Sequence, residues 1–347
     1  MPAQPHKPRV SLGMPVYNGE AFLESALNSV LGQTYQDFEL IISDNASTDR
    51  TQAICEAYAA RDPRIKYYRQ PQNRGATWNF NHTVALASGE YFKWAAHDDD
   101  LAPDYLERCV KILDEHPEVV VAFSRSRAIY EPGGQTEDYP VVLRTFSPRP
   151  HVRLYDLLWR EDRYYQVFGL MRMNVLKRTR LIENYAASDR VLMVGLAMFG
   201  QFSEIPEFLF FPRKHLTNSV RTHLTRHTRM IWFDPTKQGK VVMPAWELFM
   251  GYLRSVLRAP LTRADLAQTL CVLARWTWRE RRVMLEDLYV GAKLWWGATL
   301  LHQPTESQPH MQAARPKRRT FNGLAMVMAL LSLLSLTILR VGRKEQR

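Results

Sequence analysis

Three adjacent carboxylates, Asp98-Asp99-Asp100, follow the short apolar run Glu90 to Ala95 and precede Pro103. Neighbouring carboxylates repel one another, and a divalent cation neutralises such a cluster; hard oxygen ligands select Mg²⁺ or Mn²⁺, which in turn hold phosphates. The same acids also suit the first turn of the helix that Pro103 opens, where they meet the positive end of the helix dipole. Two polar loops lie upstream, Pro15-Val16-Tyr17-Asn18 and Asp44-Asn45-Ala46-Ser47-Thr48-Asp49. A carboxylate or amide in either accepts readily from a base N–H or a ribose hydroxyl, and turn and cap chemistry explains each loop equally well when it is taken alone.

These residues need elements to bring them together. Arg9 to Val16, Phe38 to Ser43, Ile65 to Arg69 and Glu90 to Ala95 read as strands, each β-branched or aromatic and bounded by polar turns. Between them, Glu20 to Leu31, Asp49 to Ala60 and Ala76 to Ala87 carry helical periodicity, Asp49 standing as the cap and Asp62-Pro63 as the stop. Helix Pro103 to Glu115 and strand Val119 to Ser124 follow. Alternation of this kind predicts βα units on a doubly wound, mostly parallel sheet flanked by helices. Ligands of open α/β sheets bind beyond the carboxyl ends of the strands, where both loops and the acidic triplet fall. Residues 131 to 150 are loop-rich, Asp189 to Phe199 is helical, and Ile205 to Phe211 is a strand running directly into Arg213-Lys214-His215.

The chain has 347 residues, 46% hydrophobic and 23% charged, which excludes disordered and low-complexity classes. Its three cysteines, Cys55, Cys109 and Cys271, form no C-x-x-C pattern, so neither a disulfide scaffold nor a zinc site is supported. The N-terminus lacks the apolar run of a secretory signal, and the folded domain is expected on the cytoplasmic side. Charge is unevenly divided: residues 1 to 212 hold 23 Lys+Arg against 27 Asp+Glu, while residues 213 to 347 hold 23 against 8. Trp246 to Leu257, Arg263 to Trp278 and Val283 to Leu301 read as basic helices, with Arg275, Trp276, Trp278, Arg279, Arg281 and Arg282 crowded together. Such a mixture suits a membrane interface, or the surface of a helix packed on the domain. Residues 321 to 339 carry no charge over 19 positions between basic flanks, a length open to a single span, an interfacial helix or a docked core helix. No recognised DNA- or RNA-binding pattern accompanies the basic tail, and nucleic acid is not expected as a partner.

The series Met14-Pro15-Val16-Tyr17-Asn18-Gly19, Ile41 to Asp49, Asn73-Arg74-Gly75, Ala87-Ser88-Gly89-Glu90-Tyr91 and His97-Asp98-Asp99-Asp100 with Pro103 resembles the family 2 glycosyltransferases of GT-A fold, over about residues 8 to 220. That resemblance implies a nucleotide-diphosphate-sugar donor, a divalent metal and transfer with inversion at the anomeric carbon. By it, Asp44 contacts the base, Pro15, Tyr17 and Asn18 line the nucleoside pocket, Asn45 is a further donor-binding residue, Arg74 lies near the donor, and the triplet is the D-x-D region. The family often shows D-x-D-D, and His97 stands where the leading Asp would fall. Either Asp98 and Asp100 form the D-x-D, the preferred metal ligands, or Asp99 and Asp100 do so beside His97. Asp189 resembles the catalytic base, an ordinary N-cap being the alternative. Phe168 to Met171 resembles the acceptor-side strand. Arg213-Lys214-His215 resembles the late R-x-H segment, Arg213 on the diphosphate and His215 in the metal shell.

The expectation is therefore a metal-dependent glycosyltransferase with a catalytic domain over 1–220, a basic amphipathic helical region over 221–314, and a hydrophobic segment over 315–347 that attaches it to a membrane. A lipid-linked or cell-envelope glycan is the expected acceptor. An inactive scaffold of the same fold would have lost some of the acids, and a sugar-nucleotide-forming nucleotidyltransferase should carry a Gly-rich phosphate loop after the first strand, which Met14 to Asn18 is not.

Overall fold

The computed structural model describes residues 7–139, 142–161, 163–215, 233, 236 and 242–300. The first four strands, β1 (Val10–Val16), β2 (Phe38–Asp44), β3 (Ile65–Arg69) and β4 (Tyr91–Trp94), alternate with helices α1 (Leu23–Leu31), α2 (Thr51–Ala59) and α3 (Ala76–Leu86). They pair in parallel in the order β3-β2-β1-β4, as the βα pattern predicted. After the two-residue β5 (Asp100–Leu101) and α4 (Tyr105–Glu115), the chain lays down β6 (Val119–Tyr130), β7 (Gln135–Asp138), α5 (Pro150–Trp159), β8 (Leu170–Arg172), α6 (Met173–Leu176), α7 (Ser188–Phe199), β9 (Gln201–Phe211) and β10 (Arg213–Lys214). β8 enters antiparallel between β4 and β6, so the sheet is mixed rather than mostly parallel; β9 then pairs parallel with β6, and β5 antiparallel with β9.

Period-2 alternation divides the core between the two faces of the sheet. Leu40 and Ile42 join Leu12, Met14 and the buried faces of α1 and α4 on one side; Ile41, Phe92, Trp94 and Val121 pack against α5 and α7 on the other. Gly13 is where α3 crosses β1 most closely: a Cβ there would lie 2.5 Å from Thr83 Oγ1 and 2.7 Å from the Phe92 ring. Two further helices, α8 (Pro244–Arg258) and α9 (Arg263–Leu300), complete the second face, with Phe249, Tyr252, Val256, Leu273 and Trp276 in the same core as α5 and α7.

Some boundaries differ from the sequence reading. The strand expected to stop at Ser124 continues to Tyr130, and the loop-rich stretch after it contains β7, paired to it through Arg127 and Asp138. The two helices expected over 263–278 and 283–301 are one. No helix among the described residues is long and apolar enough to cross a membrane; the boundary at 220 and the charge-free stretch 321–339 lie outside the described residues.

Candidate active site

The β1 and β2 loops are laced to each other. Asn18 adopts a left-handed conformation (φ 51°) and exchanges bonds with the second loop, its N–H donating to Ser47 Oγ at 2.9 Å and its Oδ1 accepting from Thr48 N at 2.8 Å. Gly19 N donates to Thr51 Oγ1 at 2.9 Å and Glu20 N to Asp49 Oδ2 at 3.0 Å. Asp44, 0% exposed, ends β2 with both oxygens engaged: Oδ1 accepts from Ser47 N at 2.8 Å, Oδ2 from the Tyr67 hydroxyl at 2.8 Å, with Arg69 Nε 3.6 Å away. Burial, with Asp44 alongside, raises the Tyr67 hydroxyl and keeps it a donor. Pro15 is buried within β1 while Tyr17, 45% exposed, stands out from the same loop.

Asn45 carries the link onward to α3. Its Nδ2 donates to Asn73 Oδ1 at 2.9 Å, and its Oδ1 accepts from Arg74 N at 2.9 Å. The Arg74 guanidinium lies 4.1 Å from the centroid of the Trp78 ring, which stacks on His82 at 4.3 Å. One turn further into α3, buried Asn79 accepts from Ser43 Oγ at 2.6 Å and donates to the Ser43 and Val16 carbonyls at 2.9 and 3.3 Å, fixing the ends of β1 and β2 together.

The triplet sits beyond β4 on the same edge, and His97 leans over the first loop: a Cβ on Gly19 would lie 2.7 Å from its Cδ2. Asp98 Oδ2 is 3.0 Å from His215 Nε2. Burial alone would raise Asp98, but the charge of His97 and the bond from His215 outweigh it and hold the carboxyl below its usual range. Asp99 is driven well above that range by burial and by the Asp98 charge, partly offset as it accepts from Arg213 N at 2.8 Å. Arg213 is the hub. Its Nε donates to the Asp98 carbonyl at 3.1 Å, one terminal nitrogen to Glu131 Oε1 at 2.7 Å and the other to Asp100, whose oxygens also accept from Ser25 Oγ at 2.9 and 3.1 Å. The Phe22 ring lies beneath both the guanidinium, at 5.0 Å, and the His215 ring, at 4.6 Å.

Sequence reasoning missed Ser25, Phe22, Glu131 and Asn79. Ser25 and Phe22 share a face of the first helix by their i, i+3 spacing, but nothing local marks Glu131 or Asn79. It also missed Lys93, fully buried on β4 behind the triplet. Its Nζ donates to the Phe168 carbonyl and, at 3.2 Å, to the Trp94 carbonyl, with the Tyr105 ring at 4.9 Å, and burial lowers its pKa to about 8.

Asp189 is the second residue of α7. The helix leads into β9, which begins at the edge opposite the triplet and runs parallel to β6. The charge of Asp189 is felt by Tyr164 and Tyr252. The turn Tyr165–Phe168 approaches the cationic strand, its Tyr165 ring 5.2 Å from Lys214 Nζ.

A mixed α/β sheet flanked by helices, with laced polar loops, an acidic triplet and a cationic strand at one carboxyl edge, is consistent with the GT-A fold. Its fold is shared with Staphylococcus aureus TarS 1–349 in complex with UDP-GlcNAc, at a TM-score of 0.58 and 18% identity over 82% of this chain and 81% of that one. Residues 11–179 match the model of glycosyl transferase family 2, and this part of the chain is a family 2 glycosyltransferase domain. An uncharacterized protein of Mycobacterium tuberculosis is 31% identical over 213 residues, 57% of this chain and 57% of its own length. The putative glycosyltransferase EpsE of Bacillus subtilis is 38% identical over 110 residues, 31% of this chain and 40% of its own. The chain thus spans little more than half the length of the curated relatives it matches.

Proposed function

We propose that the chain transfers a sugar from a nucleotide-diphosphate donor to an acceptor hydroxyl, with inversion and with the help of a divalent metal. The observation that carries this reading is the convergence on one sheet edge of the Asn18 and Asn45 loops, the triplet and Arg213. The exposed Tyr17 ring and the Arg74–Trp78 stack offer surfaces to a nucleoside, while Asp44 holds the loop that shapes its pocket. TarS binds UDP and UDP-GlcNAc, which supports a sugar nucleotide as donor.

The donor set suits Mg²⁺ or Mn²⁺. Among the described residues no three His, Cys, Asp or Glu gather into a full cage. Such ions are commonly held by one or two side chains with phosphates completing the shell; the Asp98 carboxylate would supply one ligand and His215 Nε2, 3.0 Å away, a second in the tautomer that leaves this nitrogen unprotonated, while Asp100 is held by Arg213 and Ser25. When bound, the ion would neutralise charge on the leaving diphosphate. Arg213 holds the acidic loop in shape and adds a fixed positive charge beside it. Asp189, the second residue of α7, would accept the proton of the attacking acceptor hydroxyl on a carboxylate oxygen.

The basic C-terminal part favours attachment to a membrane from the cytoplasmic side and a lipid-linked or cell-envelope glycan as acceptor. Thermal unfolding of the full chain with a panel of nucleotide sugars, each with and without Mn²⁺, tests the donor reading, because a ligand that binds only the folded state raises its stability. A shift requiring both sugar nucleotide and metal is expected. The Asp189→Asn variant should keep that shift and lose transfer. Absence of any shift across the panel would favour an inactive scaffold.

A further inference from the structure

Helix α9 has two apolar faces, and among the described residues only one of them is buried. Leu273, Trp276, Met284 and Asp287 are buried against α8: Trp276 meets Tyr252 edge-on at 5.2 Å, Trp246 Nε1 donates to the Met284 carbonyl at 3.0 Å, and Asp287 Oδ2 accepts from Ala245 N at 2.7 Å. Trp278, Leu285 and Tyr289 are 65%, 63% and 70% exposed. At 3.6 residues per turn these three fall within an arc of about 40°, diametrically opposite the buried face. Arg275, Arg281 and Arg282, all exposed, flank this stripe within about 60° on its two sides.

We propose that this stripe is a docking surface for an anionic lipid bilayer, on which the first two thirds of α9 lies flat. Trp and Tyr rings favour headgroup depth, Leu285 reaches past them toward the acyl chains, and the guanidinium groups meet lipid phosphates. A second copy of the chain is a poor occupant, since apposed stripes would bring their arginines together with Glu286 as the exposed acid on this stretch. The sequence beyond α9 continues in the same sense, with the basic run 315–319 and the charge-free stretch 321–339. This surface deepens the membrane attachment proposed above and is independent of the transfer reaction.

The test uses the full chain with an environment-sensitive fluorophore on Leu285→Cys, in a Cys271→Ser background, and the same label on Glu115→Cys of α4 as a reference. Vesicles of 70:30 phosphatidylcholine:phosphatidylglycerol carry a quencher in the upper acyl chain. The label at 285 should shift to the blue and be quenched several-fold more than the label at 115. On pure phosphatidylcholine, partitioning should weaken about 10- to 100-fold, as expected for the loss of two or three Arg–anionic lipid contacts. Serine at 278, 285 and 289 together should leave thermal unfolding unchanged and weaken partitioning at least about 10-fold. The proposal is overturned if the chain sediments with vesicles while the label at 285 stays unquenched, which would place the contact elsewhere. A blue shift that grows with protein concentration in the absence of lipid would equally overturn it, in favour of self-association.

Discussion

Replacing Arg213 with methionine tests whether one guanidinium organises the acidic loop. The side chain is 9% exposed and bridges Asp100, 22% exposed, and Glu131, 29% exposed. Methionine keeps an apolar stem against Phe22 but leaves the two carboxylates facing one another without a cation. Breaking a buried ion pair costs about 3–5 kcal/mol, and an exposed one about 0–1 kcal/mol. The partial exposure of both acids places Arg213→Met between these limits, at about 2–3 kcal/mol, or a fall of about 4–12 °C in Tm for a domain of this size. Urea and thermal unfolding of Arg213→Met, Glu131→Gln and the double variant would measure it. Because Glu131→Gln removes one of the acids left unpaired, the double variant should be less destabilised than the sum of the singles by about 1 kcal/mol or more. A loss below about 0.5 kcal/mol for Arg213→Met, or simple additivity within that margin, would refute the network.

Two further perturbations probe the framework behind the site. Lys93 has its folded pKa lowered to about 8 from 10.5, so between these values the unfolded chain binds more protons and stability rises with pH. Below pH 8 the burial cost is fully present, at about 3 kcal/mol; Lys93→Met should therefore be more stable than the parent at pH 7, with an advantage that shrinks toward pH 10.5 in urea titrations. A constant difference across that range would rule this out. Asn79→Ala removes three buried hydrogen bonds and leaves the Ser43 hydroxyl without its acceptor, while the Val16 carbonyl keeps its bond from Asn45 N. It should cost about 2–4 kcal/mol and weaken nucleotide-sugar binding in calorimetry, because the ends of β1 and β2 carry both loops; unchanged affinity would show that the loops hold themselves.

The parts of the site that lie on single loops were legible from sequence because their chemistry is local. Asp98 to Asp100 and Asn18 to Asn45 follow strands whose period-2 patterns are unambiguous, and the β1-α1-β2 order places them on one edge. What was hidden depends on contacts between distant residues. Glu131 and Ser25 join Arg213 from 82 and 188 positions away. The second half of β6 alternates Arg125 and Arg127 with small residues and so reads as a polar loop, yet these arginines pair across the sheet with Glu204 and Asp138. The run Arg279 to Arg282 likewise reads as a break between helices. In the fold Arg279 donates to the Leu158 carbonyl at 3.0 Å and Arg281 to the Trp278 carbonyl at 2.6 Å, while the backbone continues through.

Strand β6 pairs with β7, β8, β9 and β10 in turn. It is therefore a shared spine, holding the cationic strand beside the aspartates at one end and the Tyr165–Phe168 turn near its middle. A slip of one residue along it would turn its inward side chains outward and displace both groups at once.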